Sequence, residues 1–306
     1  MMFEESSVSK TTSNVAGAQT YSAERRGAAA PARTGWRAHV GRFALGGQVV
    51  KHLVLGAVLA GVALSAQAKE WSTIRFGVDA SYPPFESKDV SGKVVGFDVD
   101  LGNEICRRLS AKCVWIESDF DSMIPALKAR KFDGVLSSMS MTQQRAEQIA
   151  FSAKLFRTPT RLVAPKGSGL LPTAESLRGK SVGVEQGTIQ EAYAKVHWAS
   201  KGVRIVSYRN QDAVYQDLIS GRLDAALQDA VHADLGFLKL PRGANFQFVG
   251  GEIDDPKIFG RGTGIGMRKE DADLKAKIDR AIADMLKDGT YKTLEKKYFG
   301  FDVYGG

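Results

Sequence analysis

Residues 69–306 alternate short apolar runs with amphipathic segments, and they do so twice. Runs of strand type fall at 73–78, 114–117, 134–137, 180–184, 204–208 and 225–227. Helical periodicity falls between them, at 98–109, 123–129, 189–198 and 211–219. A chain that alternates in this way builds α/β layers with mostly parallel strands, because each helix carries the chain back to start the next strand in the same direction.

The two blocks share a rhythm. In the first, Leu127-Lys128-Ala129-Arg130-Lys131-Phe132-Asp133-Gly134-Val135 runs from a helix end through a basic residue, an apolar residue and an Asp into a strand. In the second, Leu218-Ile219-Ser220-Gly221-Arg222-Leu223-Asp224-Ala225-Ala226 repeats that order. Two similar lobes of roughly 110–120 residues each fall within ordinary domain sizes. The closing segment, 272–299, reads as helical, with apolar residues at Leu274, Ile278, Ile282 and Leu286, and packing alone accounts for it.

Open α/β sheets gather ligands at the carboxyl ends of their strands. Polar residues collect at those ends here: Asp79-Ala80-Ser81-Tyr82 after the first strand, Ser137–Ser140 after the third, Glu185-Gln186-Gly187-Thr188 after 184, and Gln228-Asp229 after 227. The segment Ser137-Ser138-Met139-Ser140-Met141-Thr142-Gln143-Gln144-Arg145 puts three hydroxyls within four residues and an Arg five residues beyond the last. Hydroxyls with accessible backbone N–H groups and a planar guanidinium suit the carboxylate and ammonium ends of an amino acid. A bland alternative is a capped helix start, with Ser140 or Thr142 as N-cap and Arg145 solvated.

The ends and the charge narrow the setting. Residues 53–65 form an apolar stretch of 13, preceded by Lys51-His52 and followed by Ala66-Gln67-Ala68, the pattern of a secretory signal cleaved after Ala68. A membrane span needs about 20 such residues. The mature chain is then 69–306, exported and soluble. Residues 1–48 are rich in Ala, Gly, Ser, Thr and Arg without apolar period, which reads as disorder or as an upstream start, with translation beginning near Val49 or Val50. The segment up to Ala68 holds seven basic and three acidic residues, leaving 35 against 31 and a net charge of +4. No Lys/Arg block with interleaved aromatics appears, so nothing points to nucleic acid. Cys106 and Cys113, the only cysteines, read as a disulfide in an exported protein; they lack CxxC spacing and partner ligands for a metal.

Several segments carry a resemblance: DASYPPFES, GFDVDLGNEICRRL, SSMSMTQQR, VGVEQGTIQE, DLISGRLDAALQD, FGRGTGIGMRKED and DGTYKTLEKKYFGFDVYGG. Together they resemble the periplasmic lysine/arginine/ornithine-binding and histidine-binding proteins of ABC importers, solute-binding protein family 3, over the whole of 69–306. The resemblance implies a type II periplasmic binding protein fold: two lobes, 69–157 plus 260–306 and 158–259, joined by two hinge strands around a ligand cleft. It implies a monomeric, non-enzymatic receptor with no catalytic residues, cofactor or metal, which delivers a basic amino acid to an inner-membrane permease with an ATPase. Position by position, it implies that Arg145 clamps the ligand α-carboxylate with Ser140 and backbone donors near Ile189. It implies that Asp229 and Ser138 receive the α-ammonium and that Asp79 meets the cationic tail. Tyr82 and Phe120 would sandwich the aliphatic stem, and Ser137 and Gln190 would complete the polar shell.

Two positions depart from that family. Glu185 stands where an apolar residue is usual, and Ile189 where a Thr is usual. Without a hydroxyl at 189, an anion contact must come from the backbone N–H or from Thr188. The extra carboxyl of Glu185 should favour fully charged tails (arginine, ornithine, lysine) over histidine, which is mostly uncharged near neutral pH. Other functions remain in view: a periplasmic dehydratase on the same fold, with Glu185 as the general acid, or an amino acid sensor. Against catalysis, no nucleophile elbow, Walker motif or metal-ligand spacing around His197 or His232 is found. The glycine run Gly260-Arg261-Gly262-Thr263-Gly264-Ile265-Gly266 does not open a helix after a strand, and a crossing between lobes explains it better than phosphate binding.

If translation starts near Val49, mass spectrometry of cell extracts should find no peptide from residues 3–40; finding one sinks the upstream-start reading.

Overall fold

The computed structural model describes residues 70–305; the signal segment, its cleavage site and the start of translation lie outside them. Among the described residues, no helix is long and apolar enough to cross a membrane. The strands are β1 (Thr73–Val78), β2 (Ser81–Tyr82), β3 (Glu86–Lys88), β4 (Val94–Val95), β5 (Lys112–Glu117), β6 (Gly134–Val135), β7 (Ala150–Phe151), β8 (Thr160–Pro165), β9 (Ser181–Glu185), β10 (Arg204–Tyr208), β11 (Ala225–Asp229), β12 (Phe246–Ile253) and β13 (Gly266–Met267). The helices are α1 (Phe97–Arg108), α2 (Met123–Lys128), α3 (Gln143–Ala146), α4 (Ile189–His197), α5 (Gln211–Ile219), α6 (Ala230–Ala233), α7 (Pro256–Phe259), α8 (Ala272–Asp288) and α9 (Thr290–Tyr298).

Two five-stranded sheets organise the chain, in the orders β5-β1-β6-β13-β7 and β10-β9-β11-β8-β12. In each, three strands pair parallel, and one reversed strand, β13 or β8, joins a fourth strand of the common direction at the edge, β7 or β12, through antiparallel pairings. The alternation in sequence therefore captures the parallel half of each sheet. It misses β8 and β12, which pair with each other antiparallel along one edge. In β12 the apolar alternation is interrupted by Gly250-Gly251, and the pairing register shifts between Val249 and Ile253. A small antiparallel sheet, β2-β3-β4, stands beside the first large one.

The repeated motif has a common physical basis. Asp133 accepts from the backbone N–H of Arg75 (3.1 Å), at the start of the strand that pairs with β6. Asp224 accepts from the backbone N–H of Ser181 (2.8 Å), at the start of the strand that pairs with β11. The apolar residue before each Asp lies over a glycine of the central strand. A Cβ at Gly77 would sit 2.6 Å from the Phe132 ring, and one at Gly183 would sit 2.4 Å from Leu223. The two lobes thus repeat one packing solution, in which a missing side chain admits a large apolar neighbour.

The closing helical segment is two helices, not one. Gly289, at φ 81°, ends α8 in the left-handed conformation that favours glycine, and α9 starts at the next residue. Leu274, Ile278 and Ile282 are buried as expected, but Leu286 is 39% exposed and Met285 takes the core position instead. Both helices pack on α1, around an aromatic core of Phe76, Phe85, Phe97, Phe156, Tyr291 and Phe299. The second lobe has separate apolar clusters around Trp198 and around Tyr215 and Phe237.

The chain crosses between the sheets twice, from β7 to β8 and from β12 to β13. The crossing segments touch each other: Thr263 donates to the Phe156 carbonyl (2.8 Å) and Leu155 donates to the Thr263 carbonyl (2.8 Å). The glycine run lies in the second crossing. Cys106 and Cys113 form the expected disulfide, with Cα atoms 5.8 Å apart, tying α1 to β5. Replacing both cysteines with alanine should lower stability by about 2–3 kcal/mol in the chain-entropy model. At this size that is a fall in Tm of roughly 5–10 °C, readable by calorimetry; an unchanged Tm would show that the reduced loop is already ordered by its packing.

Candidate functional site

The carboxyl ends of the parallel strands in both sheets converge on one cavity of about 420 Å³, within the range of roughly 300–1,000 Å³ found for small-molecule sites. Asp79 follows β1, Ser137 and Ser138 lie just past β6, Glu185 ends β9 and Asp229 ends β11. All twelve residues singled out from the sequence line this cavity: Asp79, Tyr82, Phe120, Ser137, Ser138, Ser140, Arg145, Glu185, Thr188, Ile189, Gln190 and Asp229. The capped helix start is real as well. The Thr142 hydroxyl accepts from the Arg145 backbone N–H (3.2 Å). Capping fixes the backbone of α3, and the Arg145 side chain turns inward rather than into solvent.

Arg145 is 9% exposed. Its guanidinium donates to the Ser140 carbonyl (2.8 Å) and, across the cleft, to the Gly187 carbonyl (3.0 Å), and its carbon lies 5.4 Å from the centre of the Phe120 ring. No carboxylate pairs with it among the described residues. Burial lowers its pKa to about 10, so it stays charged at neutral pH. An unpaired buried cation is costly, and a bound anion removes that cost. Ile189 and Gln190 open α4, where the first-turn N–H groups have no carbonyl partner within the helix. The Thr188 hydroxyl is already committed: it donates to the Glu185 carbonyl (2.7 Å) and accepts from the Glu191 N–H (3.1 Å) as the N-cap. With Ile189 lacking a hydroxyl, the donors on this side are backbone ones. Gln190 is buried and donates to Thr160 Oγ1 (3.0 Å), so it is no solvated helix residue.

Carboxyls dominate the rest of the lining. Asp79 accepts from Ser81 Oγ (2.6 Å), while its backbone N–H donates to Ser137 Oγ (2.9 Å). Burial raises its pKa. Glu185 is 4% exposed, and burial, then the neighbouring Asp79 carboxyl, push its pKa well up. Asp229 caps α6 by accepting from the His232 N–H (2.8 Å) and also takes the Thr158 hydroxyl; burial raises its pKa to about 6. Capping and cavity lining are compatible here, because the cap uses Oδ1 and the Thr158 hydroxyl uses Oδ2.

Sequence reasoning missed Glu86. It sits in β3, 1% exposed, accepting from Ser137 Oγ (3.0 Å) and Ser138 Oγ (3.3 Å), and it lines the cavity. Beside it, fully buried Asp98 accepts from the Ser138 N–H (2.7 Å). Burial first, then the Asp98 charge, push the Glu86 pKa well up, while burial raises that of Asp98 to about 7. Two carboxyls this close cannot both ionise cheaply, and Glu86 holds the proton. The pair anchors Ser138, whose φ of 50° is a left-handed conformation that costs free energy in a serine. In sequence, an acid between Phe85 and Ser87 looks like any strand residue; only the motif DASYPPFES around it marked the neighbourhood. Among the described residues, Asp79, Glu86, Asp98, Glu185 and Asp229 form no ion pair with a Lys or Arg. The cavity lining therefore carries a cation, Arg145, without a carboxylate and acids, Asp79, Glu86, Glu185 and Asp229, without a base.

The model of bacterial extracellular solute-binding proteins, family 3, matches residues 74–301. The chain is 54% identical over 248 residues to the lysine/arginine/ornithine-binding periplasmic protein of Escherichia coli K12, covering 80% of this chain and 95% of that one. It is 52% identical over 233 residues to the histidine-binding periplasmic protein of the same organism, covering 76% and 90%. Among solved structures, an ancestral arginine-binding protein bound to arginine is 37% identical with a TM-score of 0.71, covering 76% of this chain and all of that one (100%).

Asp98→Ala, which strips the Ser138 N–H of its acceptor, should cost about 1–3 kcal/mol in urea unfolding. Because the folded state holds a proton on this pair more tightly than the unfolded chain, stability should fall as pH rises from about 4 through about 7. Glu86→Gln keeps a donor at that position without titrating. It should flatten this slope between pH 5 and pH 7; an unchanged slope would place the proton elsewhere.

Proposed function

We propose, from the premise that this chain belongs to the bacterial extracellular solute-binding proteins, family 3, that it captures a basic amino acid (arginine, ornithine or lysine, with histidine weaker) and hands it to an ABC permease with its ATPase. The observation that carries the reading is the charge layout of the cavity. Arg145 is buried without a carboxylate; Glu185 and Asp229 are buried, and Asp79 half-buried, without a base among the described residues. A zwitterion with a cationic tail completes both ends at once. Its carboxylate pairs with Arg145, with N–H donors at the start of α4 beside it. Its ammonium reaches Asp229 and Ser138, and its tail charge reaches Asp79 and Glu185. Tyr82 and Phe120 flank the stem, and Ser137, Ser140 and Gln190 satisfy the remaining polar atoms.

In this reading the lobes are 69–157 plus 260–306 and 158–259, hinged at the two crossings, and closure brings Gly187 to Arg145. The place of work is the periplasm, after cleavage following Ala68, and the protein acts as a monomer. No bond is made or broken in this reading, and no residue needs a catalytic role. Glu185 adds acid next to Asp79. Both carboxyls hold protons readily in the empty cavity and give them up to a permanent cation, which favours guanidinium and ammonium tails over imidazole.

Isothermal titration of arginine, ornithine, lysine, histidine and glutamine tests this. The cationic ligands should bind tightly and glutamine weakly. Arg145→Ala and Asp79→Ala should each weaken arginine by on the order of 100-fold or more, since each leaves a buried charge unpaired. Silence toward all five overturns the reading. Glu185→Leu should lower the arginine-to-histidine affinity ratio; an unchanged ratio would mean that the Glu185 carboxyl does not meet the tail.

A further inference from the structure

One contact between the lobes has no part in the reading above. His232, in α6, is fully buried and does not line the cavity. Its ring stacks on Tyr82, with centroids 3.9 Å apart and planes 12° apart. Its Nδ1 lies 2.6 Å from the carbonyl oxygen of Pro83. Tyr82 and Pro83 belong to the first lobe and His232 to the second, so stack and hydrogen bond both cross the cleft. The fit is close: a Cβ at Gly236 would lie 2.9 Å from that same Pro83 oxygen and 3.1 Å from His232 Nδ1. Tyr82 is thereby held from behind, with the cavity on its other side.

The hydrogen bond also fixes the ring's proton. A carbonyl can only accept, so Nδ1 carries the hydrogen and Nε2 is the bare nitrogen. Nε2 is buried with no partner. Adding a proton there would create a buried N–H with no acceptor and a buried charge with no counter-ion. The groups that face the ring do not supply one. Tyr82 presents its ring face, and Tyr215, tilted by 32° at 5.6 Å, makes no hydrogen bond to the ring through its buried hydroxyl. Asp229 is engaged by the His232 backbone N–H and by Thr158. Asp212 is paired with Arg242 at 3.0 Å, and Arg242 also donates to the Gly236 carbonyl (2.8 Å).

We propose that His232 is a positioning residue for the cleft: while its ring is neutral it holds Tyr82 and Pro83 in the closed arrangement, and its protonation in the open form opposes closure, so that acid weakens the grip on ligand. This rests on the receptor reading of the preceding subsection. The direction follows from linkage. Burial in the closed form lowers the His232 pKa from 6.5 to about 4. A ring released to solvent titrates near its ordinary value of about 6.5. As pH falls below about 6.5 the open form gains a proton that the closed form refuses, and closure weakens by up to tenfold per pH unit until about pH 4.

The test is arginine titration into protein exported from the full chain, at constant ionic strength and pH 7.5, 6.5, 5.5 and 5.0, with wild type, His232→Phe and His232→Ala. The acids of the cavity give all three a common slope. Wild type should lose a further factor of about 30 between pH 7.5 and 5.0. His232→Phe, which keeps a ring on Tyr82 but gives up the bond to the Pro83 carbonyl, should bind somewhat more weakly than wild type at pH 7.5 and lack that extra loss. His232→Ala should bind more weakly at pH 7.5 and also lack it. Calorimetry at pH 6 in buffers of different ionisation enthalpy should show wild type releasing roughly three-quarters of a proton more per arginine bound than either variant. Parallel pH curves and equal proton release in all three proteins overturn the role of His232. Absence of binding by wild type at pH 7.5 instead overturns the receptor reading on which this role depends.

Discussion

A guanidinium buried without an acid, facing acids buried without a base, is the arrangement on which the rest of this molecule turns. Neither half is favourable alone. Arg145 loses water and gains only two carbonyls and an aromatic ring in return. The acids respond to burial by holding protons: Asp229 near pH 6 and Glu185 well above the usual carboxylate range. A fold can sustain this only if its framework is stable elsewhere. Here that framework is two separately cored sheets, each aiming the ends of its parallel strands at the same space.

The framework economises by repetition. Asp133 and Asp224 hold equivalent strand starts, and Phe132 and Leu223 fill equivalent glycine gaps at Gly77 and Gly183. Each lobe thus fixes its own strand ends rigidly. The link between lobes is lighter: two crossing segments that touch around Thr263, and a few contacts over the cleft. Among the latter are Arg145 to the Gly187 carbonyl, Arg209 to Asp119 (2.8 Å), Gln186 to Asp121 (2.9 Å) and His232 to the Pro83 carbonyl. Rigid lobes with a light connection are what a receptor that closes on its ligand requires.

Glu86 in the cavity wall and Asp98 beside it show how strain is supported. Ser138 occupies a left-handed conformation and still places its hydroxyl at the cavity wall. The carboxyl pair accepts both its N–H and its hydroxyl. The same Glu86 receives Ser137, which in turn accepts the backbone N–H of Asp79. A chain of hydrogen bonds therefore ties Asp79 to two buried acids that do not belong to its own strand, Glu86 in the same cavity wall and Asp98 beside it.

Much of this was legible before any coordinates. Local period showed which segments become the parallel strands, and the residues just past them became the cavity lining, since the carboxyl end of a strand is a place that sequence order alone identifies. Family motifs assigned candidate roles at those places, and the two cysteines paired as their setting implied. The antiparallel strands β8 and β12, the exposure of Leu286, the buried Glu86–Asp98 pair and the stack of His232 on Tyr82 were not legible. The break at Gly289 is local, a left-handed glycine whose stop signal was passed over; the buried pair and the stack depend on partners far along the chain: residues 86 and 98 meet Ser137 and Ser138, and residue 232 meets 82 and 83. Periodicity tells which way a side chain faces relative to its own backbone, but not what faces it. Which acids keep a proton, which cation stays unpaired and which ring is sealed without an acceptor were decided only when distant segments excluded water together.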